Sequence, residues 1–188
     1  DKLSKSVVVS GPPAIGKTTV AKGLASEFNL QYLSGGDILK DLASELGYSS
    51  TGDDWWDTDE GMKFLNHRKH EPEFDKKVDE KLKVLFQNGG VVITSYTLPW
   101  LVDGGIKIWL AGTAENSAKR MQNRDNVTEL HALDIVKTRF NENKIIYKEL
   151  YNFEFGNDLS IFDRIIETDG LNAQQVLDHA KSIVRELI

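Results

Sequence analysis

The chain contains no cysteine, so disulfides, thiolate metal sites and cysteine nucleophiles are all excluded. No apolar run approaches membrane-spanning length and no signal peptide precedes the first strand, so the chain is expected to be cytoplasmic, with no membrane association. Positive charge is in deficit. Lys and Arg number 23 against 29 Asp and Glu, and the net charge of −6 argues against general nucleic-acid binding, though not against a local basic cleft. Histidine is scarce as well, at four residues. His67 and His70, with Glu71 and Asp75 nearby, read as a charged helix end, because nothing completes a metal site with the usual ligand spacing. What remains is ample for folding: 40% of the 188 residues are hydrophobic, enough for one domain with a sizeable core and too much for disorder.

The most informative stretch lies near the start: Ser6-Val7-Val8-Val9-Ser10-Gly11-Pro12-Pro13-Ala14-Ile15-Gly16-Lys17-Thr18-Thr19-Val20. A short apolar run is followed by Gly11, four residues, then Gly16, Lys17 and Thr18. Val20, Ala21, Leu24, Ala25 and Phe28 then recur at helical spacing. Strand, loop and helix in this order make a phosphate-binding loop. The glycines let the backbone fold back and turn successive N–H groups inward. The helix start adds unpaired N–H groups and the positive end of its dipole. Gly11, Pro12, Pro13, Ala14, Ile15, Gly16, Lys17, Thr18 and Thr19 are therefore the candidate nucleotide contacts. Lys17 can reach the β- and γ-phosphates of ATP, and the Thr18 hydroxyl is the candidate Mg²⁺ ligand.

Further along, Gln31–Leu33 reads as a second strand and Ser34–Gly36 as a turn, and Ile38, Leu39, Leu42 and Leu46 form a helical face ended by Gly47. The segment from Tyr48 to Glu60 has no clean period and carries Trp55 and Trp56 among aspartates. It is either an exposed turn with its tryptophans packed down or a substrate loop with an aromatic platform. Two helices, Gly61–Lys69 and Pro72–Gln87, precede a buried strand at Val91–Thr94 and another at Ile106–Leu110. A helix from Ala114 to about Asn123 carries Arg120 and Arg124. Thr128 caps a long helix bearing Arg139, Ile161–Glu167 reads as a fifth strand, and a last helix follows. Strands alternating with helices predict an α/β fold with a parallel sheet. Ligands of such sheets bind beyond the carboxyl ends of the strands, which brings Gly11–Thr18, Ser34–Asp37 and Ser95–Trp100 to one cleft.

With these pieces in order, the sequence resembles the nucleoside-monophosphate kinases, most of all the archaeal type of cytidylate kinase. The resemblance runs over nearly the whole chain. It rests on Ser10-Gly11-Pro12-Pro13, Ser34-Gly35-Gly36-Asp37-Ile38-Leu39, Phe74-Asp75-Lys76-Lys77-Val78-Asp79, Ile106-Lys107-Ile108-Trp109-Leu110, Arg120 with Arg124, and Asp158-Leu159-Ser160-Ile161-Phe162-Asp163. It implies a single P-loop kinase domain over residues 1–188, a three-layer fold with a five-stranded parallel sheet. The mobile parts would be an acceptor subdomain at about 37–88 and a lid at about 114–150. The implied reaction is transfer from ATP–Mg²⁺ to a nucleoside monophosphate, CMP giving CDP. Lys17, Arg120 and Arg124 would be catalytic, and Asp37, Lys40, Trp55, Trp56 and Tyr96 the acceptor contacts. Arg120 and Arg124 are four residues apart and share a helical face, as cations opposing charge on a transferred phosphoryl group should. The sequence departs from the family on the acceptor side. Lys40 stands where an arginine is usual, Thr94-Ser95-Tyr96-Thr97 where an acid and an arginine are usual, and Ile146 where a further arginine is expected. Arg68, Lys69 and Arg139 are the candidates to supply that charge. AMP, a deoxynucleotide or a non-nucleotide hydroxyl are the alternative acceptors, and a nucleotide-dependent switch ATPase is the alternative class. Small-molecule nucleotides are the expected partners of a monomer or weak dimer.

Overall fold

A computed structural model of the chain describes residues 5–48, 59–71 and 73–187. The first strand, β1 (Val7–Ser10), is buried along its length. It is followed by α1 (Lys17–Phe28), β2 (Gln31–Ser34), α2 (Gly35–Glu45), α3 (Asp59–His70) and α4 (Glu73–Gln87). Then come β3 (Val91–Thr94), α5 (Leu98–Leu101), β4 (Ile106–Ala111), α6 (Ala114–Asp125), α7 (Glu129–Tyr151), β5 (Arg164–Glu167) and α8 (Ala173–Leu187). The sheet order is β2-β3-β1-β4-β5, and every pair is parallel. This is the five-stranded parallel sheet that the alternation of elements predicts.

Successive strand residues face opposite sides, and the core divides accordingly. Val7, Val9, Ile106, Ile108 and Leu110 pack against α1 and α8 through Leu24, Val176, Ala180 and Val184. On the other face, Val8 and Ile93 meet Leu39, Phe64, Phe74, Val78 and Leu82 from α2, α3 and α4. Trp109 meets Tyr147 and Phe155 in an aromatic cluster beneath α7. A fourth cluster, Ala118, Met121, Ala132 and Val136, lies between α6 and α7. No helix among the described residues is long and apolar enough to cross a membrane.

Two local expectations are corrected. Ser34–Gly36 is not a free turn. Ser34 ends β2 and caps α2, accepting from the Asp37 N–H at 3.3 Å, so Gly35 and Gly36 are already helical. The fifth strand starts at Arg164 rather than Ile161, because Phe162 turns back (its N–H donates to Leu159 O at 3.1 Å) and joins the aromatic cluster. The short helix α5 lies in a segment for which the sequence analysis named no element.

Candidate phosphate and acceptor cleft

The loop from Gly11 to Gly16 leaves the carboxyl end of β1, the middle strand of the sheet, and enters α1. Ala14 (φ 58°) and Gly16 (φ 106°) have left-handed backbone, which curls the loop around its own N–H groups. A Cβ on Gly11 would lie 2.6 Å from Leu110 O, so only glycine lets the loop sit this close to β4. Lys17 is the first residue of α1, and the Val20 N–H closes the first turn onto Gly16 O at 3.4 Å. The N–H groups ahead of Val20 are therefore the unpaired donors of a helix start, facing the strand ends. Thr18 and Thr19 are exposed on the same turn. A glycine-shaped nest, a helix N-terminus, a lysine and an exposed hydroxyl form a donor set that fits a polyphosphate carried with Mg²⁺.

Lys17 folds over the loop. Its Nζ donates to Gly11 O at 3.1 Å and Pro12 O at 2.7 Å, and it stands 4.5 Å above the centre of the Tyr96 ring. Burial, reinforced by the charge of Arg139, pushes the Lys17 ammonium down to about 7. Burial raises the Tyr96 phenol, and Arg139, Arg68 and Arg124 pull it back. Tyr96 therefore marks a point on which the fields of several cations converge.

Arg120 lies over the loop from the opposite side. Its Nη1 is 3.2 Å from where a Cβ on Gly16 would be, and its Nε is buried without a hydrogen-bond partner. Together with Ile15, Gly16, Thr19, Ala173 and Val176 it lines a small cavity. Arg124, one turn on, is exposed and bridges Asp125 at 2.6 and 2.7 Å. Asp37 is exposed in the first turn of α2, and Lys40 is half-buried further along it. Trp55 and Trp56 lie outside the described residues.

A buried polar network that the sequence analysis did not draw borders this cleft. Arg68 on α3 grips Asp75 on α4, with Nε 2.9 and 2.8 Å from the two carboxylate oxygens and Nη2 2.7 Å from Oδ1. The same Nη2 donates to Tyr147 OH on α7 at 3.2 Å. Burial opposes the Arg68 charge, but Asp75 and Tyr147 hold its pKa above the ordinary value. One helical turn on, Asp79 accepts from Thr97 Oγ1 and Tyr151 OH, both at 2.6 Å. Burial still pushes Asp79 up to about 6. Arg68 thus enters the area as a neutralised charge, and Ile146 is a buried core residue.

A parallel α/β sheet whose central strand runs through such a loop into a helix, with an arginine over the loop, is a P-loop kinase. Two curated relatives are cytidylate kinases. The one from Ignicoccus hospitalis is 30% identical over 180 residues, covering 95% of this chain and 98% of its own. The one from Methanocaldococcus jannaschii is 30% identical over 186 residues, covering 96% and 98%. The chain belongs to the cytidylate kinase family of nucleoside-monophosphate kinases. A family model described as an AAA domain matches residues 10–118. The solved shikimate kinase from Bacteroides thetaiotaomicron shares the fold, with a TM-score of 0.56 at 15% identity over 97% of both chains.

Proposed function

We propose that the chain phosphorylates CMP at the expense of ATP: an oxygen of the CMP phosphate attacks the γ-phosphorus, the bond to the β–γ bridging oxygen breaks, and CDP and ADP leave. The observation that supports this reading best is the placing of the phosphate loop, Arg120 and the Lys17–Tyr96–Arg139 group at the carboxyl ends of the strands, in a chain alike to cytidylate kinases over nearly its whole length. In this reading the loop N–H groups and Lys17 hold the donor phosphates, and Arg120 covers them with its Nη1 beside Gly16. Thr18 would hold Mg²⁺, which when bound neutralises the β- and γ-oxygens. Phosphoryl transfer asks the protein for alignment and positive charge rather than covalent chemistry. Arg139, whose charge already bears on Lys17 and Tyr96, takes over part of the acceptor phosphate.

The acceptor grip is weaker than the family norm. A lysine at position 40 and a tyrosine at position 96 replace guanidinium forks, and neutral hydrogen bonds are worth about half of charged ones. CMP is therefore expected to be a substrate with a high KM, preferred over AMP and GMP. Initial velocities at saturating ATP–Mg²⁺ against each monophosphate and its deoxy form test this. Preference for AMP would overturn the specificity while keeping the mechanism. If no monophosphate at millimolar concentration accelerates ATP consumption, the monophosphate reading fails. A second reading, a non-nucleotide hydroxyl acceptor, draws its support from Tyr96 in place of a cation.

A further inference from the structure

We infer that Tyr96 is a positioning residue for Lys17, and that it acts through the face of its ring. The inference rests on the reading of Gly11–Thr18 as the donor site, and it gives Tyr96 a role on the donor side rather than only toward an acceptor. An ammonium group has three N–H bonds. At Lys17, two carbonyls, Gly11 O and Pro12 O, take hydrogen bonds, and the Tyr96 ring stands 4.5 Å from the nitrogen as the next wall of the cage. A lysine stem has four rotatable bonds and about 2 kcal/mol of rotamer entropy to lose on being held. The ring, by contrast, is already fixed.

The supports of that ring can be followed one by one. Ser95 N donates to Val9 O at 3.3 Å, which seats the segment on β1. Ser10 Oγ donates to Tyr96 O at 3.2 Å. Ser95 Oγ accepts from the N–H groups of Thr97 and Leu98 at 3.2 and 3.1 Å, and Thr97 Oγ1 is anchored on Asp79. Phe155 meets the ring edge-on at 5.7 Å, with Tyr147 behind at 6.5 Å. A rigid aromatic face is thus presented to a flexible cation from the end of β3, the neighbour of the strand that carries the loop. Cation–π attraction strengthens as the cation is drawn out of water, and Lys17 is half-buried here. The ring keeps the Lys17 nitrogen beside the loop, so that the donor phosphates meet a group already in place.

The test is a double-mutant cycle on affinity for a fluorescent N-methylanthraniloyl-ATP with Mg²⁺, read by titration of the full chain without any acceptor. Tyr96→Leu is expected to weaken binding about fivefold, the scale of one partly exposed cation–π contact. Tyr96→Phe, which keeps the ring, should recover most of that loss. In a Lys17→Ala background Tyr96→Leu should cost nothing further, because the residue it acts through is gone. Tyr96→Met serves as a second ring-less variant should the leucine variant fail to fold, with thermal melts reporting folding. Equal losses in the leucine and phenylalanine variants would assign the effect to the hydroxyl and overturn the inference. So would an undiminished loss in the Lys17→Ala background. A wild-type chain that does not bind the probe overturns the donor-site reading itself, a different result from a wild-type chain that binds it while the Tyr96 variants bind equally well.

Discussion

Lys17, half-buried, and Asp79, buried, are both ionisable groups, but they are treated differently. Lys17 is held by carbonyls that a phosphate can replace and by a ring beside them, and it makes no contribution to either sheet core. Lys17→Ala is therefore expected to fold normally and to lose turnover by about a hundredfold or more, the scale of deleting one preorganised electrostatic donor. Near-normal turnover of a folded variant would remove the role. Arg120, whose Nη1 lies over Gly16 and whose Nε is buried without a partner, should matter more than Arg124, which is held by Asp125. In Arg120→Ala, kcat should fall further than the KM for ATP rises, since the contact strengthens as charge moves in the transition state. A change in KM alone would make Arg120 a ground-state binder. Asp79 gives the pH dependence. The groups facing it are Thr97, Tyr151, Asp75 and Arg68. Its folded pKa is raised from 3.8 to about 6, so between these values the folded state binds the proton more tightly than the unfolded chain. The stability associated with that proton is complete below about 4 and is lost as pH rises through 6, with a span of about 3 kcal/mol at 1.36 kcal/mol per pH unit. Relative to Asp79→Asn, the wild type should therefore gain stability on acidification from pH 7 to pH 4 in urea titrations. A constant difference across that range would contradict the assignment.

At the level of elements, the Arg68–Asp75–Tyr147 network ties α3, α4 and α7 together with buried charge. Removing only one partner leaves the other charge buried and alone, which costs about 3–5 kcal/mol, whereas exchanging both for apolar groups is often neutral. Arg68→Ala should thus lower the melting temperature sharply, and Arg68→Leu combined with Asp75→Leu should recover most of the loss. A double variant no more stable than the single one would mean that the charges themselves are required. This network also marks where the sequence stopped being legible. The helix α1 could be bounded at Lys17 and Phe28 because its signals are local, with Gly16 before it and Asn29 in left-handed conformation after it. The phosphate loop was legible for the same reason, as one contiguous stretch answering to one chemical need. Arg68 and Tyr147 are 79 residues apart, and Lys17 reaches Tyr96 through the pairing of β1 with β3. No periodicity or motif encodes such meetings. Ile161 and Phe162 misled in the opposite sense: their apolar side chains read as strand, but the aromatic cluster, not the sheet, takes Phe162. The four-residue helix α5 is too short to show any period.

Across the whole molecule, the parts expected to move do not share the same packing. Helices α2, α3 and α4, the proposed acceptor subdomain, are joined to the sheet, because Leu39, Phe64, Phe74, Val78 and Leu82 form one cluster with Val8 and Ile93. The α6–α7 hairpin is different. It carries its own small core of Ala118, Met121, Ala132 and Val136, and it meets the phosphate loop through Ala14 and through Arg120 over Gly16. Helix α7 links this unit to the body, with Ala132 and Val136 in the hairpin core, and Ile146 and Tyr147 in the aromatic cluster. The change of neighbours falls between Val136 and Phe140, where the helix leaves one cluster for the other. Closure over bound nucleotides is therefore expected to swing the hairpin about this stretch, with α4 staying on the sheet. Closing keeps water from the phosphoryl group and should need donor and acceptor together. Amide hydrogen exchange can follow it. With a non-hydrolysable ATP analogue and CMP both present, protection should rise across residues 114–136 by more than the sum of the two separate effects, while residues 146–151 and α4 change little. If protection rises equally in α4 and the hairpin, or if the two ligands act additively at occupancies confirmed by titration, closure does not pivot within α7.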